Sequence, residues 1–147
     1  MMRIAYHSTG AALTDYALGV WLAAAKAAIG SVSAPGVLVT LADPKHPHAF
    51  ETETLADDRA TQGGAVYSRI LGTVRRGHLE FQTIADADAA AWRSWHTATY
   101  GGRVPFVIEL PLTKESVIVK AAVGAPLVQT NYKRWQPADW NIAEWAL

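Results

Sequence analysis

Hydrophobic positions along the chain follow different rhythms, and each rhythm predicts a different element. Ile84, Ala87, Ala91, Trp92, Trp95 and Ala98 recur every three or four residues, the period of one helix face. Thr83-Ile84-Ala85-Asp86 has the capping-box form, in which a hydroxyl accepts a first-turn N–H and an acid reaches back to the cap. Gly101-Gly102 supplies a stop, because glycine tolerates the left-handed turn that closes a helix. The pattern predicts a packed helix over about residues 84–100.

A second helix is predicted over about residues 12–29, where alanine and leucine dominate and Gly30 stands at the cap position. Leu13, Ala17, Val20, Trp21, Ala24 and Ala28 share one stripe. Leu18, Leu22, Ala25 and Ile29 make the flanking face apolar too. Such a helix needs cover on both sides, from its own domain or from a neighbour. Val20, Trp21 and Leu22 are therefore candidate subunit contacts.

The remaining apolar runs are short and β-branched, or alternate. Val37–Leu41, Val74–Gln82, Phe106–Leu110, Ser116–Ala121, Val128–Tyr132 and Asn141–Leu147 read as strands. Leu79 and Phe81 share one face, with His78, Glu80 and Gln82 on the other. Pro111–Glu115 reads as a hairpin turn. Residues 42–64 are polar, with Pro44, Pro47 and Gly63-Gly64, and read as a long loop. The expected fold is α+β in a single domain over residues 1–147, an antiparallel sheet system with two helices.

Composition narrows the function classes. Half of the 147 residues are apolar and the formal net charge is zero, as in a globular protein without the basic surplus that phosphate binding wants. Nucleic acid is thus not the expected partner. The chain has no cysteine, so neither a disulfide framework nor thiolate chemistry is available. The apolar run Tyr16–Ala25, bounded by Asp15 and Lys26, is too short to span a bilayer. A soluble protein of the cytoplasm is expected, without membrane partners.

Candidate chemistry is sparse. His46-Pro47-His48 places two imidazoles on one side of an extended segment, with Asp43 and Glu51 near enough to complete a metal site. Two neutral histidines on an exposed loop account for the same residues, and no HExxH motif supports a metal. His96 lies near the end of the helix predicted over residues 84–100, where the dipole favours an imidazolium. No GxSxG elbow or phosphate loop is present. Arg75 and Arg76, flanked by Gly72 and Gly77, are a weak anion signal. Six tryptophans are the unusual feature. Helical spacing assigns Trp92 and Trp95 to the core, while Trp135, Trp140 and Trp145 could pack inward or form a stacking platform for sugars. No catalytic residue, metal or cofactor is expected.

The order of features in about the last 80 residues resembles the distal tail and minor tail (tail-tip) proteins of long-tailed bacteriophages. Arg75-Arg76-Gly77-His78-Leu79-Glu80-Phe81 is followed by the helix of Asp86 to Tyr100 and by Gly101-Gly102-Arg103-Val104-Pro105-Phe106. Val107-Ile108-Glu109-Leu110-Pro111, Arg134-Trp135-Gln136-Pro137 and Trp140-Asn141-Ile142 complete the pattern. The resemblance implies a tail-tube-like β-sandwich or half-barrel with one packed helix, in a virion protein made in the host cytoplasm. It also implies a non-enzymatic subunit of a homo-oligomeric ring, commonly hexameric, that joins the tail tube to the tip or baseplate hub. Phe81, Trp92, Trp95, Phe106, Trp135 and Trp140 would then be core positions, and Arg75 and Arg76 ring contacts. A sugar-binding β-module, or a metal-dependent hydrolase built on His46 and His48, are the alternatives.

Overall fold

A computed structural model describes residues 1–45 and 49–145. Strand β1 (Met2–His7) shows how the sheet is organised. Met2, Ile4 and Tyr6 are buried on one face and Ala5 on the other. Strands β6 (Phe106–Glu109) and β7 (Ser116–Ala121) repeat the division. Phe106, Ile108, Val117 and Val119 join the first cluster, Val107 and Ile118 the second. A sheet covered on both faces needs apolar residues at successive positions, which is why Phe106, Val107 and Ile108 follow one another without a polar break.

The seven-stranded sheet runs β2 (Gly36–Leu41), β1, β6, β7, β10 (Trp140–Glu144), β4 (Val66–Leu79) and β3 (Ala49–Ala60). All of these pairings are antiparallel. A three-stranded sheet of β5 (Ile84–Ala85), β9 (Arg134–Pro137) and β8 (Leu127–Asn131) lies beside it. The architecture is α+β and mainly antiparallel sheet, with helices on both faces of the larger sheet.

Helix α1 (Asp15–Ala27) covers one face, its N-terminus capped by Thr14 Oγ1, which accepts the Ala17 N–H at 3.2 Å. Leu18, Leu22 and Ala25, with Ile29 beyond the helix, pack on Ala5, Val107 and Ile118. This corrects the expected orientation: the flanking face is the core face, and Val20 is 56 % exposed. Burying leucine and isoleucine removes more apolar area from water than burying alanine, so the larger side chains decide which face turns inward. Leu22 is fully buried in the chain's own core and leaves the set of candidate subunit contacts.

Helix α2 (Ala89–Thr99) covers the other face and starts later than its period predicts. Ile84 and Ala85 pair with Trp135 and Arg134 as strand β5, and Asp86–Asp88 form a 3-10 turn. The capping box does not form. Asp86 instead accepts the Trp135 indole N–H at 2.8 Å. Beyond the helix, Tyr100, Gly101 and Gly102 all have left-handed φ, of 52°, 72° and 87°. The glycine carbonyls then accept the N–H groups of Val123 and Ala121, each at 2.9 Å.

Between α2 and the sheet lies an aromatic core. Trp95 and Trp140 stack with ring centroids 4.2 Å apart and planes at 22°. Phe81 and Trp92 meet edge to face at 4.8 Å, and Phe106 meets Trp95 the same way at 5.3 Å. All five rings are essentially inaccessible to water. Among the described residues the indole N–H groups of Trp95 and Trp140 have no hydrogen-bond partner, a polar cost of about 1–3 kcal/mol each that the packing offsets. Trp135 departs from its expected core position. It lies half-buried at the margin, with the Arg93 guanidinium 4.5 Å above its ring.

The largest correction concerns residues 42–64. Ala49–Ala60 is not loop but the 12-residue strand β3, paired along its length with the 14-residue β4, which starts well before the expected Val74. The polar run Glu51-Thr52-Glu53-Thr54 carries no apolar alternation because neither of its faces is buried in the chain, so the usual strand signal is missing.

Candidate functional site

β10 pairs with β4 only from Leu79 to Arg76. Past that point β3 and β4 pair with each other alone, through Glu53–Ala60 and Val66–Val74, to a turn at Thr61–Ala65. At about 3.3 Å per residue this two-stranded arm extends about 25 Å beyond the sheet.

Side-chain alternation makes the arm amphipathic. Cross-strand partners share a face, so Ala56 with Ile70 and Ala60 with Val66 line one side. Arg59 with Tyr67 and Asp57 with Arg69 line the other. Between the apolar pairs, the Ser68 hydroxyl donates to the Asp58 carboxylate. Leu71 is the extra residue at the register shift between Leu55 and Ala56, where Gly72 faces Leu55. Val66, Tyr67, Ile70 and Leu71 are 67, 65, 70 and 62 % exposed. A second exposed apolar stripe lies on the outer side of α1, where Tyr16, Val20, Ala23 and Ala27 follow helical spacing and all face solvent. Trp21, beside that stripe, is half-buried and meets the His7 ring edge to face at 5.3 Å.

The foot of the arm is held by charge. Arg75 donates two hydrogen bonds to Glu115, at 2.7 and 2.9 Å, and its guanidinium lies 4.5 Å above the Phe50 ring. The hydrogen bond from Arg75 holds the Glu115 carboxyl below the usual carboxylate range, and the Arg75 charge adds to it. Arg76 faces Glu53 at 3.1 Å. Both arginines are thus engaged within the chain, and an incoming anion would have to compete with these carboxylates.

Next to this foot, His78 Nδ1–H donates to Asn141 Oδ1 at 2.6 Å. His78 Nε2 lies 3.3 Å from Glu80 Oε1 and 3.6 Å from Asp139 Oδ2. The Asn141 hydrogen bond, followed by the contact and charge of Glu80 and the charge of Asp139, pushes the His78 pKa up against the opposing effect of desolvation. The alternation of His78 and Glu80 was legible in the sequence. Their meeting with Asp139 and Asn141 depends on β4–β10 pairing and was not.

The other candidate residues separate in space. Trp140 is fully buried, Trp135 sits at the margin of the aromatic core, and Trp145 packs against the α1 cluster on the opposite face. The three-tryptophan platform therefore does not form. His96 Nε2–H donates to the Val123 carbonyl at 2.8 Å and ties the end of α2 to the segment that follows β7. The His46-Pro47-His48 metal reading lies outside the described residues. One open depression between the Thr9 turn and α2 is lined by Ser8, Thr9, Arg93, Ser94, Thr97 and Tyr100, among others, with no histidine or carboxylate in its lining. No helix among the described residues is long and apolar enough to cross a membrane. Comparison of the chain with family models, curated proteins and solved structures finds no match.

Proposed function

We propose that the chain is a non-enzymatic structural subunit of a bacteriophage tail, in a ring that joins the tube to the tip. The observation that carries this reading is the arm with its uncovered apolar face. A lone two-stranded hairpin is marginal in water, so an arm of this length gains its order by docking. In this reading its occupant is a second copy of the chain: the Ala56, Ala60, Val66 and Ile70 face, with the Ser68–Asp58 hydrogen bond between its apolar pairs, lies against the Tyr16, Val20, Ala23 and Ala27 stripe of the next α1. Two different patches in contact make a heterologous interface, which closes into a ring when the rotation allows. Zero net charge means that like copies do not repel one another strongly. The order of features shared with distal and minor tail proteins points the same way, and the larger sheet with α2 packed on it would be the half-barrel or sandwich of a tail-tube-like fold.

Light scattering of the purified chain over a wide concentration range, followed by electron microscopy, tests the reading. Rings, or incorporation into tail-like particles, are the expected result. A monodisperse monomer that never enters such particles overturns it.

A further inference from the structure

Two alternating triplets lie side by side where β4 meets β10: His78-Leu79-Glu80 and Asp139-Trp140-Asn141. Leu79 pairs with Trp140 and both are buried, so the outer residues of each triplet emerge together on the solvent side. His78, Glu80 and Asp139 each offer one ligand atom, and these atoms lie within 4.8 Å of one another. We propose that His78, Glu80 and Asp139 form a binding site for a divalent transition-metal ion, Zn²⁺ foremost, at the foot of the arm.

Two observations carry this. The first is spacing. Nitrogen and oxygen ligands about 2.0–2.1 Å from a tetrahedral zinc stand about 3.3–3.4 Å from one another. His78 Nε2 is 3.3 Å from the Glu80 oxygen and 3.6 Å from the Asp139 oxygen, close to that spacing, and all three ligand atoms lie within 4.8 Å of one another. The second is orientation. An amide oxygen can only accept, so the contact with Asn141 Oδ1 requires the proton on His78 Nδ1. Nε2 is then the ligating nitrogen, turned toward the two carboxylates. Metal-bound histidines are held by just such an outer hydrogen bond, which makes Asn141 a positioning residue. One imidazole and two carboxylates suit zinc, cobalt or nickel, whereas magnesium and calcium favour all-oxygen sites. The three side chains are 48, 55 and 52 % exposed, which leaves the remaining coordination positions to water. A bound ion would tie the end of β4 to the segment entering β10, at the Leu79–Trp140 end of their pairing.

The test uses the full chain without a polyhistidine tag and does not depend on ring assembly. Calorimetric titration with Zn²⁺ should give one ion per chain, with no comparable response to Mg²⁺ or Ca²⁺. Co²⁺ should give the intense visible absorption of a low-coordinate site, and Zn²⁺ should raise the melting temperature. His78→Ala should abolish all three responses. Glu80→Gln and Asp139→Asn should each weaken binding, and Asn141→Ala should weaken it by about 10–100-fold. These positions are exposed, so circular dichroism of the metal-free variants should match the parent. Absence of stoichiometric binding overturns the proposal and leaves the cluster a surface ion pair. Binding that survives His78→Ala but is lost in the His46→Ala/His48→Ala double variant overturns it equally.

Discussion

Strand β4 passes through two regions that use apolar residues in opposite ways. At its C-terminal end Leu79 is 1 % exposed, paired with Trp140 and packed in the aromatic core. At its N-terminal end Val66 and Ile70 are 67 and 70 % exposed on a ribbon over which, among the described residues, there is no third strand and no helix. In the body, burial within the chain stabilises the fold. On the arm the same residue types gain nothing from folding, and their apolar area is available only to association. The two regions should therefore separate cleanly under mutation.

The body responds most strongly. Trp140→Ala removes the ring that stacks on Trp95 and also contacts Phe81, Trp92 and Phe106. A loss of about 3–5 kcal/mol is expected in urea or thermal unfolding, a large part of a domain's stability. A loss below about 1 kcal/mol would mean that the aromatic cluster is not the stabilising centre of the body.

The same contrast governs what the sequence made legible. Trp92 and Trp95 were placed by their helical spacing, since α2 has one buried face and Arg93 and Ser94 turn outward from it. Strand β6 and the β6–β7 hairpin were legible for a similar reason, as short apolar runs bounded by prolines. On the arm the rule fails, because period-two alternation marks a strand only where the fold buries one face. Glu51 to Asp58 offers charges and threonines on both sides and resembles a loop. Thr83 to Asp86 failed differently: a local cap lost to long-range pairing of Ile84 with Trp135 and to the bond from Trp135 to Asp86. The His78 cluster depends on register between strands far apart in the chain, which single-sequence periodicity does not carry.

Glycines sharpen the contrast at a smaller scale. Gly101 (φ 72°) in the body and Gly64 (φ 83°) in the arm turn both hold left-handed backbone. A Cβ at Gly101 would overlap the Val123 carbonyl oxygen, whereas one at Gly64 would meet open space. Gly64→Ala should cost about 1–2 kcal/mol from backbone conformation alone. A two-stranded arm outside the core is expected to open separately from the body, so that cost should appear as faster amide exchange in the arm, not as a lower melting temperature. Gly101→Ala should cost more and act on global unfolding. Equal effects of the two on the melting temperature would show that arm and body unfold as one unit.

Acid titration gives a subtler difference. Arg3 donates to both oxygens of Glu109, at 2.6 and 3.1 Å, and this hydrogen bonding, with the Arg3 charge added, holds the Glu109 carboxyl below the usual range. Its folded value is below its unfolded one. The stabilisation is therefore complete above the ordinary glutamate pKa of about 4.3 and is lost as pH falls through the lower folded value. Glu109→Gln should flatten the fall in urea midpoint between about pH 5 and about pH 2. Glu115 is shifted in the same direction by Arg75, but its side chain is 45 % exposed against 10 % for Glu109. Glu115→Gln should have the weaker effect, and salt should erase it first. A larger effect at Glu115 would place the arm's foot, not the body, at the centre of the acid response.

The smallest expected change in folding is the most informative about function. Ile70→Asp adds to the apolar face of the arm, beside Ala56 and in line with Val66, a second carboxylate without the hydroxyl partner that Ser68 gives Asp58. Ile70 has little burial to lose within the chain, so monomer stability should stay within about 0.5 kcal/mol of the parent. An interface that covered this face would have to desolvate the carboxylate without a partner for it, and ring assembly should fail. Val20→Asp on the outer stripe of α1 should give the same pairing of outcomes, an unchanged monomer and no ring. If both variants assemble like the parent, the arm does not dock through its apolar face. If Ile70→Asp instead unfolds the monomer, the arm is covered by its own chain and the division between the two regions of β4 fails.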